Sequence, residues 1–387
     1  MAHSMLSYTE MLSRLVAQPS VSCTDATFDQ GNLGVVEELA EWLSDLGFSC
    51  HLMPIPNQPN KANLIARLGD GEGGLVLSGH TDTVPCDPER WQSDPFVLAN
   101  RDNKLFGLGA TDMKGFFPLA MQAAHAFRAS RLREPLYIVA TADEESSMSG
   151  AIELLAQQQP LGRFAVIGEP TDMRPIRLHK GMMMEALKVV GRSGHSSDPD
   201  LGINALEGMQ LVMAELLQYR AELQAKHRHA GFDVPVPTLN LGCIHGGDNP
   251  NRICGECELH FDLRPLPGMI PEQLRADINE RMSRLGDRTG YQIEHRSLFP
   301  GLHPFEEPAD SAIVVAAEEI CGSTPGNVAF ATESPFLQQL GMGTIVMGPG
   351  SINQAHQPDE YIDLAQIEPG TEIISQLIQR FCVDSVV

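Results

Sequence analysis

Two histidines and a series of acids fall where apolar runs of the chain stop. Leu75-Val-Leu-Ser-Gly-His-Thr-Asp-Thr-Val84 reads as a buried strand that runs out into a His80-x-Asp82 pair. Strands alternate their faces, so residues two apart share a side. His80 at such a tip suits a metal, with the Asp82 carboxylate behind it taking the second ring N–H and fixing the tautomer. Gly79 is expected to let the backbone turn where the strand stops. Phe106-Gly-Leu-Gly-Ala-Thr-Asp-Met-Lys-Gly115 reads as a tight turn that thrusts Asp112 forward. It contains Gly107-x-Gly109 but lacks the third glycine of a dinucleotide fingerprint and does not sit in the first βα turn, so no nucleotide site is expected there.

Leu136-Tyr-Ile-Val-Ala-Thr-Ala-Asp-Glu-Glu145 ends in three consecutive acids. On a plain strand end they would repel one another. Adjacent carboxylates can diverge, however, one binding a cation while its neighbour stays free as a base. Val166-Ile-Gly-Glu-Pro170 sets Glu169 where another strand stops, and a long glycine-proline loop, Val346 to Glu360, carries His356. In open α/β sheets the functional crevice lies outside the carboxyl ends of the strands. Two imidazoles with three or four carboxylates, one of them able to bridge, suit two borderline divalent ions such as zinc. The competing account makes each acid an ordinary turn, cap or solvated-loop residue. It requires six such accidents at equivalent places.

The elements that must carry these residues are set out by periodicity. Residues 8–17, 33–46, 115–127 and 151–158 read as helices; 48–55, 63–68, 136–141 and 165–168 read as strands, with a polar turn at 57–61. Strands alternating with helices predict an α/β fold, a mixed and largely parallel sheet with helices on both faces. From residue 182 the order becomes strand 182–190, helix 204–224, strands 238–244 and 257–263, helix 271–285 and strand 291–296. That β-α-β-β-α-β order is the ferredoxin-like arrangement. A helix at 311–320, a strand at 344–347 and a helix at 364–381 return to the first pattern. The expectation is a catalytic domain from 1–180 and 300–387, with a ferredoxin-like α+β domain, 181–299, inserted between its halves.

Composition removes other classes. The chain of 387 residues is 42% hydrophobic and 20% charged, as soluble globular proteins are. Its 27 basic and 50 acidic residues give a formal charge of −23, against nucleic acid or an anionic membrane as partner. No run of about 18 apolar residues predicts a transmembrane helix. Met1 to Met5 reads as a start-site or tag remnant, and no signal-peptide pattern is evident. Eight scattered cysteines read as reduced thiols of a cytoplasmic protein. Cys254-Gly-Glu-Cys257 opens an alternating strand and reads as structural, since a zinc site needs further ligands.

The set Gly79-His-Thr-Asp-Thr83, Gly109-Ala-Thr-Asp-Met-Lys-Gly115, Asp143-Glu-Glu145, Ile167-Gly-Glu-Pro170 and Gln354-Ala-His356 resembles the family of dizinc amidohydrolases and exopeptidases. That family includes acetylornithine deacetylases, succinyl-diaminopimelate desuccinylases, aminoacylases and related carboxypeptidases, and the match runs nearly the whole length. Residues 191–199, 238–248 and 348–360 are most similar to its acetylornithine deacetylase branch. The resemblance implies that His80, Asp112, Glu145, Glu169 and His356 hold two divalent ions, zinc or cobalt, with Asp112 bridging. It implies Glu144 as general base and Asp82 as the group that orients His80. It also implies a cis peptide at Asp112–Met113.

The activity implied is hydrolysis of an N-acetylated amino acid, N2-acetyl-L-ornithine above the desuccinylase, aminoacylase and dipeptidase alternatives. Glu144 would pass the proton of the attacking water to the departing amine. His195, in a glycine-serine turn, would help hold the developing oxyanion in a partner subunit of a homodimer formed through the inserted domain. Asn251, Arg264 and Thr332 are candidates for gripping the substrate carboxylate; Arg264 could equally be a strand-end salt bridge. A non-catalytic metal- or ligand-binding protein is the rival class, and an intact Glu144 speaks against it.

Overall fold

The computed structural model describes residues 5–128, 132–158 and 161–384, so of the stretch Met1 to Met5 only Met5 is among them. The chain divides into two compact units, one of Met1–Arg177, Glu307–Gly326 and Thr332–Val387, the other of Leu178–Glu306 and Asn327–Ala331. In chain order the elements are α1 (Tyr8–Val16), α2 (Leu33–Asp45), β1 (Ser49–Ile55), β2 (Gln58–Leu68), β3 (Leu75–His80), β4 (Ala99–Arg101), β5 (Lys104–Phe106) and α3 (Phe116–His125). Then come β6 (Leu136–Thr141), α4 (Ser149–Gln157), β7 (Phe164–Pro170), β8 (Ile176–His179), β9 (Met183–Val190), α5 (Ala205–Lys226), β10 (Thr238–Gly246), β11 (Glu256–Arg264) and α6 (Pro271–Thr289). The last are β12 (Gln292–Ser297), β13 (Phe305–Glu306), α7 (Ala312–Cys321), β14 (Gly326–Val328), α8 (Ser334–Gln339), β15 (Gly343–Gly348), β16 (Tyr361–Asp363) and α9 (Ile367–Ile378).

The large sheet has the order β1-β2-β6-β3-β7-β15-β8-β13, with β14 paired to β8. Its centre is parallel: β6 and β7 flank β3, and β15 flanks β7. The margins are antiparallel, β1 on β2 and β2 on β6 at one side, β8 on β15 at the other. Every residue of β3 and β6 is buried, as parallel strands covered on both faces must be. Alternate residues explain how. Leu75, Leu77, Ile138, Val166 and Ile345 join one core with α1, α2, α3, α7 and α9. Val76, Val139, Ile167 and Val346 are equally buried but lie outside that core, on the opposite face.

In α1, Tyr8, Met11, Leu12, Leu15 and Val16 supply the buried stripe, and a Ser7–Glu10 capping box fixes its start. The turn expected at 57–61 is shorter. Asn57 alone takes a left-handed conformation, φ 62°, and β2 already starts at Gln58. Asparagine tolerates that region better than other side chains, which tightens the hairpin. A three-stranded sheet β16-β5-β4 has no sequence signal, because each strand is three residues long. The same brevity hides β13, β14 and α8.

The second unit carries β9-α5-β10-β11-α6-β12 on an antiparallel sheet ordered β10-β11-β9-β12. This is the ferredoxin-like connection. Leu187, Val189, Leu259, Phe261 and Leu263 project from the strands onto Met209, Val212 and Leu216 of α5 and Leu274, Ile278 and Met282 of α6. One buried polar knot interrupts that packing. Glu185 of β9, fully buried, accepts hydrogen bonds from Arg275 Nε at 2.8 Å and Ser297 Oγ at 3.2 Å and lies 3.0 Å from His295 Nε2.

Candidate metal centre

The parallel strands end together, and the candidate ligands stand at those ends. His80 closes β3, the acids 143–145 come after β6, Glu169 lies near the end of β7, and His356 comes after β15. Asp112 comes from the turn after β5, and its peptide bond to Met113 is cis. His80 Nε2 is 3.0 Å from Asp112 Oδ1 and 3.7 Å from Glu169 Oε1. The other Asp112 oxygen, Oδ2, is 3.4 Å from His356 Nε2, which lies 2.9 Å from Glu145 Oε1. One carboxylate therefore stands between two imidazoles.

Among the described residues, two groups have ligand atoms all within 4.8 Å of one another: His80, Asp112 and Glu145, and His80, Glu144 and Glu169. A ring nitrogen serves one ion, so a pair of divalent ions would divide as His80 and Glu169 on one side, Glu145 and His356 on the other, with Asp112 facing both. Glu144 sits among them, close enough to count as a ligand atom as well as a free base.

Three supports of this geometry depart from the sequence expectation or are invisible to it. The His80 Nδ1 proton goes to the backbone carbonyl of Asp82 at 3.0 Å, while the Asp82 carboxylate lies farther, at 3.7 Å. That carboxylate is turned to the backbone amides of Glu144 and Glu145, at 3.2 and 3.1 Å. Asp82 thus holds Glu144 and Glu145 as well as the imidazole. Gly79 does not take a turn conformation. It is glycine for space, since a Cβ would meet Met113 Cε at 2.4 Å. Asp143 faces away from the cluster, in a left-handed turn at φ 59°. Its carboxylate receives Lys61 Nζ at 2.6 Å, Ser22 Oγ at 2.9 Å and Ser149 Oγ at 2.8 Å. That ion pair is what lets three acids stand in a row.

Glu333 and Glu360 are two further supports that sequence reasoning misses. Glu333 is buried, accepts from Thr141 Oγ1 at 2.9 Å, and is pushed by burial up to about 7. Glu360 is buried beneath the Asp112 turn and accepts three of its amides. Nothing local in the sequence marks either acid as inward-facing.

The electrostatics are those of a crowded anionic pocket. Burial and then Glu169 push Glu144 well above the carboxylate range; burial and then Asp112 do the same to Glu169. Burial opposes a charge on His80, but the Asp112 hydrogen bond and the neighbouring acids outweigh it and hold the imidazole well above its usual value. Hydrogen bonds to Asp112 and Glu145 raise His356 to about 10. For Asp112, burial is overcome by the hydrogen bonds from His356 and His80, and its pKa falls. Protons on two imidazoles hold these acids together. Divalent cations satisfy the same acids and leave the imidazoles neutral, as ligands must be.

Of the remaining candidates, three belong to the second unit and Thr332 to the first. Exposed His195, in the second unit, accepts the Ser197 N–H at Nδ1 (3.2 Å), with Ser197 Oγ at 2.7 Å. Asn251, in the same unit, is exposed, and its carbonyl accepts the Ser196 N–H at 3.1 Å. Arg264, at the end of β11, is paired in place with Asp262 at 3.0 Å. Thr332, in the first unit, is fully buried with its hydroxyl 2.6 Å from Ser334 Oγ.

Known proteins resemble the chain at two ranges of similarity. The chain is 47% identical over 375 residues to an acetylornithine deacetylase of Salmonella arizonae, covering 97% of this chain and 98% of that one. It is 46% identical over the same length to an acetylornithine deacetylase of Pectobacterium atrosepticum, with the same coverage. Among solved structures, an M20-family metallo-carboxypeptidase from Sulfolobus solfataricus superimposes with a TM-score of 0.77 at 17% identity, over 97% of this chain and 99% of that one. A dinuclear metal-binding M20 peptidase from Bacillus subtilis gives 0.65 at 15% identity, over 96% of each. Those two likenesses carry the fold. Residues 76–380, a span that includes every ligand of the paired clusters, match the model of peptidase family M20/M25/M40, and the chain belongs to that family of metal-dependent hydrolases.

Proposed function

We propose that this chain removes the acetyl group from N2-acetyl-L-ornithine, giving L-ornithine and acetate, as a step of arginine biosynthesis. The observation that carries the hydrolytic reading is Asp112, whose two oxygens face His80 and His356 separately. The near-full-length similarity to acetylornithine deacetylases supports the substrate. Zinc or cobalt suits the nitrogen and oxygen donors, and two such ions, when bound, polarise an amide carbonyl and lower the pKa of water.

The protein's own groups do the rest. Glu144 takes a proton from the attacking water and delivers it to the departing α-amine, which is otherwise a poor leaving group. Burial suits it to hold that proton between the two steps. Asp82 keeps Glu144 in place through its backbone amide. Glu145 is tied to His356 and serves as ligand. Accepting a hydrogen bond at Nδ1 leaves the neutral His195 ring with its proton on Nε2, the form that donates to an oxyanion. Asn251, Arg264 and Thr332 are assigned to the substrate carboxylate.

The chain works as a cytoplasmic homodimer joined through residues 181–299, with 1–180 and 300–387 as the catalytic part. β10 is an edge strand whose Ile244 is exposed, and Leu206 and Leu217 of α5 are exposed as well, which supports pairing with a second copy. All eight cysteines are free, in keeping with a reducing compartment. Among the described residues no helix is long and apolar enough to cross a membrane.

Amine release from N-acetyl-L-ornithine and from N-succinyl-diaminopimelate, measured after chelation and again after zinc or cobalt is restored, tests the assignment. Metal-dependent release from acetylornithine alone is expected. Release only from the succinyl compound would keep the chemistry and overturn the substrate.

A further inference from the structure

Glu360 lies four residues beyond His356 and is 2% exposed. Its Oε1 accepts the N–H groups of Thr111 at 2.7 Å and Asp112 at 2.9 Å, and its Oε2 that of Gly109 at 2.9 Å. Its own carbonyl accepts the N–H of Gly107 at 3.0 Å. The next residue, Tyr361, pairs with Phe106, and its carbonyl accepts from Thr111 Oγ1. The whole segment from 106 to 112 is thereby fastened to residues 360 and 361.

A turn that points several amides into one hollow is an anion cradle. Here the acceptor is the chain's own carboxyl side chain. Gly109 takes φ +78°, which the turn requires and a larger residue would resist. Without Glu360, three buried N–H groups would lose their acceptor. Glu360 belongs to the loop that presents His356, and the amides belong to the turn that presents Asp112. His80 and Glu169 come from β3 and β7 and do not touch it.

We propose that Glu360 is a positioning residue for the metal pair: it fixes Asp112 relative to His356. Its loss therefore loosens the ion held by Asp112, Glu145 and His356 more than the ion held on the His80 and Glu169 side. The chemistry itself does not pass through Glu360. The inference rests on the reading of the cluster as a two-ion site.

Metal-free wild type, Glu360→Gln and Glu360→Ala are titrated with cobalt, followed by calorimetry and by the visible absorption of the bound ion. Circular dichroism checks each fold. Wild type is expected to take two ions. The folded variants are expected to take the first nearly as wild type does and the second about 10- to 100-fold more weakly, with an altered spectrum for that second ion. Variants that bind both ions with wild-type affinity would overturn the role of Glu360. Wild type that takes up no cobalt would overturn the two-ion reading itself.

A second measurement needs no variant. Coupling is reciprocal, so cobalt must slow hydrogen exchange at the amides of Gly109, Thr111 and Asp112. Exchange at those amides that is indifferent to cobalt would equally sink the proposal.

Discussion

Lys61 Nζ lies 2.6 Å from Asp143 Oδ1, with both side chains almost entirely buried. A second acid, Asp29, receives the same ammonium at 2.8 Å. Burial works against that charge, and the hydrogen bonds to Asp143 and Asp29 more than restore it. Removing one member of a buried pair strands the other, at a cost of about 3–5 kcal/mol. Lys61→Met is expected to lose about that much in urea denaturation, and Asp143→Asn added to it should recover part of the loss. Because Asp143 opens the turn that carries Glu144 and Glu145, the single variant is also expected to hold metal less tightly. Wild-type stability in Lys61→Met would contradict the pairing.

Glu144→Gln keeps the shape of the base and removes its proton chemistry. Turnover on an acetylated amino acid is expected to fall about 10²- to 10⁴-fold, with both ions retained by elemental analysis. Loss of an ion along with activity would instead mark Glu144 as a ligand, the alternative its closeness to His80 and Glu169 leaves open.

Glu185 should behave as a structural anchor of its own unit. Glu185→Leu leaves Arg275 and His295 without their buried acceptor. Roughly 3–5 kcal/mol of destabilisation is expected in denaturant melts. A variant that melts as wild type does would show that the knot contributes nothing net.

His179 supplies a pH dependence away from the metal ligands. It is fully buried, donates from Nδ1 to the Lys180 carbonyl at 2.9 Å, and stacks on Phe305 at 5.2 Å between ring centres. Burial lowers its pKa from 6.5 to about 4. Between those values the unfolded chain binds the extra proton and the folded one does not. Stability is therefore lost as pH falls through 6.5 and levels off below about 4. At about 1.4 kcal/mol per pH unit the loss approaches ~3 kcal/mol. His179→Gln should flatten that part of the profile relative to wild type in melts at about pH 7 and about pH 4.5.

Metal removal should register in stability. An ion that binds only the folded chain adds about 2.7 kcal/mol at about one hundred times its dissociation constant. Zinc added back to chelated protein is expected to raise the melting temperature in a concentration-dependent way. A melting temperature indifferent to zinc would contradict a site built into the fold.

The central sheet and the residues at its ends are legible because buried parallel strands are continuous apolar runs, and the residues just past such a run stand at the crevice. His80, Glu144, Glu145 and Glu169 are read this way, Asp112 from its glycine-rich turn and His356 from the glycine-proline loop, and the fold brings them together. The supports are not legible, for two physical reasons. Partners are distant: Lys61 meets Asp143 across 82 residues and Glu360 meets Asp112 across 248. Backbone amides also leave no mark in a sequence. Nothing in His80-x-Asp82 says that the carboxylate will prefer the amides of Glu144 and Glu145 to the imidazole. In sequence Gly79 suggests flexibility, whereas its neighbour Met113, brought close by the turn after β5, is what excludes a side chain.

His356 meets Glu145 across 211 residues, and its side chain is 51% exposed, against 9% or less for Glu145, Asp112, Glu169 and His80. The half of the cluster that includes His356 is therefore complete only once β15 has been laid beside β7 and the loop after it has closed. The half-open imidazole is the part of the cluster that solvent, and any ion or chelator dissolved in it, meets first.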